Sequence, residues 1–157
     1  MSLVRSKYLF ALLLALPLTG PAQAGSGTPS HVVPRLISAD LPSYPPIAET
    51  AHVTGRVTVR VTVENGKVVK TEVVDTEVRN RSQILLPKTG AQWLTAPTEE
   101  NLKSWRFDSS VKDAFMVNYN YEISGTETDN PTNPRVEILP SLDVTITARP
   151  VKPTVLY

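Results

Sequence analysis

Between residues 56 and 63 the chain alternates without a fault. Val57, Val59, Val61 and Val63 fall on one side, and Arg56, Thr58, Arg60 and Thr62 on the other. A period of two marks a strand with one buried face. Asn65-Gly66 ends the run, and both residue types suit the positive φ angles of a type I′ hairpin turn. The pattern predicts one strand over residues 55–64 and its hairpin partner over 67–76. In the partner, Val69, Thr71 and Val73 share one side while Val68, Lys70, Glu72 and Val74 share the other, a mixed pattern suited to a sheet edge. Upstream, Pro42, Pro45 and Pro46 lead into a short helix over residues 47–52, with Pro46 fit for its first turn. Gly55 reads as the residue that breaks this helix.

Residues 77–94 show no clear period and read as an irregular connection that packs Leu85 and Trp93. Thr95-Ala96-Pro97-Thr98-Glu99-Glu100 carries helix-start signals: a Thr cap, an early Pro and acidic residues in the first turn. The predicted helix runs to Trp105 and buries Leu102 and Trp105 at i, i+3 spacing. Alternation returns over residues 114–123, the most aromatic strand: Phe115, Val117, Tyr119, Tyr121 and Ile123 on one face, Met116, Asn118, Asn120 and Glu122 on the other. A Gly-, Thr-, Asn- and Pro-rich loop follows over 124–134. Two short strands are expected over 136–139 and 142–147, then a Pro-broken tail over 149–157.

The order helix, strand, strand, helix, strand implies an α+β fold. A hairpin followed by a crossover helix sets the third strand parallel to the second. With the most regular strand in the middle and a right-handed crossover, the sheet order is 2-1-3. The expected architecture is a three-stranded antiparallel/mixed sheet with two helices on one face, plus a C-terminal β extension. The extension, residues 124–157, is expected to fold back over part of the aromatic strand's edge or the other sheet face.

Composition places this domain in a compartment. Arg5 and Lys7, the apolar run 8–16, Pro17, Gly20 and the small-x-small site Ala22-Gln23-Ala24 form the three-part pattern of a secretory signal over residues 1–24. The apolar run is about half the ~20 residues a spanning helix needs. The formal charge is +1, from 16 basic and 15 acidic residues. Loss of Arg5 and Lys7 makes it −1, which leaves no clustered positive charge for nucleic acid. Cysteine is absent, so disulfides, thiol nucleophiles, Cys-ligated zinc and a lipidated N-terminal Cys are excluded. Residues 25–41 read as a flexible lead-in with a short apolar patch at 32–37, and the expected location is the periplasm.

Little in the chain carries chemistry. His31 and His52 have neither Cys partners nor paired spacing, so no metal site and no cofactor are expected. No nucleophile-elbow context surrounds any Ser, and no catalytic residues are expected. Trp105 and Phe107 read as core plugs where helix meets sheet. Arg56 and Arg60 read as solvated residues facing Glu72 or Glu122 across the strands.

Taken in order, Tyr44-Pro45, Ala48, Gly55, the Val57-x-Val59-x-Val61-x-Val63 run, Asn65-Gly66-x-Val68 and Trp105-Arg106-Phe107 resemble the TonB C-terminal domain family over residues 42–123. The resemblance implies structural roles for Tyr44, Pro45, Gly55, Gly66, Trp105, Arg106 and Phe107. It further implies a domain that recognises envelope proteins, its last strand pairing with an extended segment of an outer-membrane transporter by β-augmentation. Here that edge corresponds to Phe115, Met116, Val117, Asn118, Tyr119, Asn120 and Tyr121. Three features depart from the family: no uncleaved anchor, a lead-in too short to cross the periplasm, and Leu41-Pro42-Ser43 where the family often has Gln-Pro. The expectation is a soluble, non-enzymatic binding module. Two alternatives stay open: a membrane-anchored energy transducer, and a structural protein that self-associates through its strand edges, as in a homodimer.

Overall fold

Residues 33–80 and 87–152 of the chain are described by a computed structural model. The expected signal, His31 and the expected packing of Leu85 lie outside them. The alternating run builds β2 (Val53–Glu64), whose Val57, Val59, Val61 and Val63 are fully buried. Asn65 (φ 50°) and Gly66 (φ 73°) turn the chain into β3 (Lys67–Asn80), as the Asn-Gly pair predicts. The hairpin tip is clasped from outside: Gly66 N–H donates to the Val111 carbonyl at 3.2 Å, and Phe107 N–H donates to the Gly66 carbonyl at 2.8 Å.

The expected three-stranded sheet is corrected. Among the described residues one mixed sheet has seven strands, in the order β1-β4-β3-β2-β5-β7-β6. It is curled into a half-barrel and carries only two short helices. β2 lies between β3 and β5 (Asp113–Ile123), antiparallel to both. The C-terminal residues are not an appendage. β6 (Arg135–Ile138) and β7 (Asp143–Ala148) form a hairpin, and β7 joins the sheet parallel to β5. At the opposite margin, β1 (Leu36–Ser38) pairs with β4 (Arg106–Phe107), which touches β3 at Lys67 alone. β1 lies within the stretch expected as a lead-in. Strands of two and three residues leave no periodic trace in a sequence, which is why neither β1 nor β4 was predicted.

The helices cover the apolar face. α1 (Pro46–Thr50) ends before Gly55: His52 takes the left-handed conformation (φ 53°) that closes the helix. Gly55 sits inside β2 instead. α2 (Pro87–Leu102) starts eight residues earlier than its Thr95 signal, and Pro97 stands within it. Its buried positions are Gly90, Leu94, Thr98 and Leu102, an unbroken i, i+4 ridge. Thr98 is tolerated there because its hydroxyl donates to the Leu94 carbonyl at 2.8 Å. Trp105 and Phe107 are buried, as core plugs should be. None of the helices among the described residues is long and apolar enough to cross a membrane.

Candidate functional site

β5 carries the residues singled out as a partner-binding edge, and the fold divides them into three groups. Val117, Tyr119 and Tyr121 point into the core and are buried. Tyr119 donates to Asn101 Oδ1 at 2.6 Å, an oxygen that also accepts Trp105 Nε1–H at 3.1 Å. The Thr98 hydrogen is committed to Leu94, so Tyr121 is the donor in its 2.8 Å bond to Thr98. Burial pushes the Tyr121 phenol up to about 12, and it raises Tyr119 and Tyr44 further still. These tyrosines stay neutral and hold helix to sheet. Tyr44 seals one end, its hydroxyl donating to the Val53 carbonyl and its ring edge-on to Tyr121 at 5.4 Å.

The second group faces outward. Thr58 donates to Asn118 Oδ1 at 2.9 Å, Asn118 Nδ2 donates to Asp143 Oδ1 at 2.8 Å, and Ser141 donates to Asp143 Oδ2 at 2.7 Å. Arg56 Nε donates to Asn120 Oδ1 at 2.8 Å. The amide of Asn118 chiefly, then the Ser141 hydroxyl and the charge of Arg56, hold the Asp143 carboxyl below its usual range. Asn118 and Asn120 therefore tie β2, β5 and β7 together and are not free for a partner.

The third group is the start of the strand. β7 pairs with β5 only from Asn118 to Ile123. Among the described residues, positions 113–117 are paired on the β2 side alone. Phe115 is half-buried with its ring against Phe107 at 5.1 Å, while Ala114 and Met116 are exposed. Half of the expected binding edge is thus occupied by the chain's own β7, and half remains open.

Among the described residues the outer sides of β1 and β6, at the two margins of the sheet, are open too, and so is most of β3, whose edge differs in kind. Beyond Lys67 the outer side of β3 has no strand partner among the described residues. Its pairing to β2 shifts at two places, leaving Val69 and Val74 as bulge residues, both exposed. Lys70, Glu72, Asp75, Glu77 and Arg79 also stand exposed along it. Bulges and charges are the devices that keep an edge from pairing. The β5 start has an unshifted register with β2 and, after Asp113, no charge before Glu122. Among the described residues, no group of three or more His, Asp or Glu side chains is placed to hold a metal ion.

One titratable group sits apart from this edge. Glu49, on α1, is 2% exposed, and its Oε1 has no hydrogen-bond partner. Burial raises its carboxyl above the usual range, partly offset by the Thr132 backbone N–H that the carboxyl accepts. A carboxyl with a raised folded pKa stabilises the fold fully below its unfolded value, and that contribution is lost as pH rises through the folded one. Glu49→Gln is expected to be more stable than the parent at neutral pH. It should also flatten the fall in Tm that begins above about pH 4.3, the unfolded Glu value. Calorimetric melts across pH check this; a Gln variant that melts lower at neutral pH contradicts it.

Comparison with protein-family models and with curated proteins finds no match.

Proposed function

We propose that this chain is a non-enzymatic protein-binding module of the cell envelope, exported by its N-terminal segment, that takes up an extended peptide along the open start of β5. What carries the reading is the pairing of β5: both sides are filled from Asn118 to Tyr121, and among the described residues one side is empty over residues 113–117. An unpaired, regular, weakly charged strand edge offers backbone donors and acceptors to an incoming strand. The resemblance to TonB C-terminal domains supplies the class of partner, a segment of an outer-membrane transporter or another envelope protein. The fold narrows the site relative to that resemblance, since Asn118, Tyr119, Asn120 and Tyr121 are already paired on both sides. Self-association through β3 is disfavoured by its bulges at Val69 and Val74.

A photocrosslinking residue placed at Ala114 or Met116 in the intact cell tests the reading. These positions are expected to capture an envelope protein, identified by mass spectrometry, while Val74 on β3 and Glu137 on β6 capture none. Equal capture from all four positions, or none from Ala114 and Met116, would sink the proposal.

A further inference from the structure

An apolar cleft of about 480 Å³, within the range of ligand pockets, lies between the chain entering β1 and the β6–β7 turn. One wall is Val33, Pro34 and Leu36, from the chain entering β1. The other is Ile138, Leu139 and Leu142, from the β6–β7 turn. Each wall is tied to the open edge by a contact. Leu142 immediately precedes Asp143, which pairs with Asn118, where the open half begins. Leu36 pairs with Phe107, whose ring meets Phe115. The turn is built to place this wall: Leu142 is in the left-handed region (φ 64°) and buried, its N–H donating to the Leu139 carbonyl at 2.9 Å. A Leu held at positive φ is sterically costly, so the turn is held by its surroundings. Val33 and Leu139, on opposite walls, remain 46% and 44% exposed, an apolar lining that the fold leaves in water.

We infer that this cleft is the side-chain pocket of the strand-addition site, and that its occupant is a short extended peptide carrying a bulky aliphatic residue. The inference rests on the reading of residues 113–117 as a strand-addition edge and adds selectivity to it. Backbone pairing along five residues is indifferent to sequence, because every non-proline residue offers the same donor and acceptor. Discrimination comes from side chains on alternate positions, and here one face of an added strand would look toward an apolar cavity. Arg35 is the one charged residue in the lining, so a basic side chain is repelled there, while the Val, Ile, Leu and Pro walls favour an apolar one. The β6–β7 turn also limits length: an added strand meets it at Asn118, so the paired segment is about five residues long.

The test is an NMR titration of the full mature chain with six blocked pentapeptides: all-threonine, and the same host with one leucine at each position in turn. All six are expected to shift the amides of residues 113–117. Leucine at one position, or at two positions of the same parity, should tighten binding about tenfold or more, as burial of one aliphatic side chain provides. The same peptides should move the methyl signals of Leu36 and Leu139. Leu139→Glu, at a half-exposed site where folding is retained, should remove the leucine preference but not the response to all-threonine. Equal affinity for all six peptides overturns the pocket and leaves strand addition standing. No shift at residues 113–117 with any peptide overturns both. A concentration-dependent mass in sedimentation, with the Leu36 and Leu139 methyls shifting on self-association, replaces the peptide with a second copy and also overturns the inference.

Discussion

Deletion of residues 135–157 is expected to abolish cooperative unfolding rather than to uncover a longer binding edge. The β6–β7 hairpin contributes Leu142, Val144, Ile146 and Ala148 to the same core as β2 and β5, all at 2% exposure or less, and Val151 follows at 6%. Burial of a large aliphatic side chain is worth about 1.5–3 kcal/mol. Leu142, Val144, Ile146 and Val151 together supply about 6–12 kcal/mol by that measure, comparable with the ~5–15 kcal/mol by which a whole domain is stable. The deletion also strips one side of β5 from Asn118 to Ile123 and leaves the Asn118 amide without Asp143. Thermal melts by circular dichroism should show a broad or absent transition, and the amides of β5 should lose hydrogen-exchange protection. A sharp melt with β5 protection intact would mean that the hairpin is a detachable cover. Ile146→Ala gives the graded form, with an expected cost of about 2–5 kcal/mol.

This expectation bears on where a partner binds. A segment that displaced β7 would have to replace its core side chains as well as its backbone pairing. A segment that adds at residues 113–117 displaces no strand among the described residues. The same strand is therefore scaffold over one half and candidate site over the other, and the boundary falls at Asn118, where β7 begins.

That division was only partly legible in the sequence. The β2 alternation and the Asn-Gly turn are strong local signals, and both appear as read. β3 misled because its inward residues are Val68, Thr71, Val73, Thr76 and Val78, with steps of three where Val69 and Val74 bulge. A period-2 reading loses phase at each bulge and returns a mixed pattern. α2 was hidden for a different reason. Its ridge holds Gly90 and Thr98 beside Leu94 and Leu102, so half of the buried stripe is not apolar, and Pro97 resembles a start signal. Sequence placed Phe115 through Tyr121 on one strand, but it held no signal for the strand length at which β7 joins. β7 starts directly after the Leu139–Leu142 turn, whose left-handed leucine no propensity rule anticipates.

Gly55→Ala is expected to destabilise the fold by about 3 kcal/mol or more, at the upper end of overpacking substitutions. In the sequence Gly55 reads as a helix breaker, yet His52 closes α1, and the glycine is needed for space. A Cβ built on it would lie 2.1 Å from the Glu77 carbonyl oxygen of β3 and 3.1 Å from Leu94 Cδ1 of α2. The first contact is with backbone in the β2–β3 ladder, where Gly55 pairs with Val78, so relief requires the strands to part. The second is with the end of a flexible side chain and can be relieved by a rotamer change. The two causes separate in a double substitution. If Leu94 were the obstacle, Gly55→Ala with Leu94→Ala would cost less than the sum of the single changes. If the Glu77 carbonyl is the obstacle, the costs add, because distinct neighbours are disturbed. Additivity is expected, and denaturant melts of the three variants decide it. Because β2 carries β5 as well as β3, a parted ladder should also blur the amide signals of residues 113–117, coupling this glycine to the open edge on the far side of the strand.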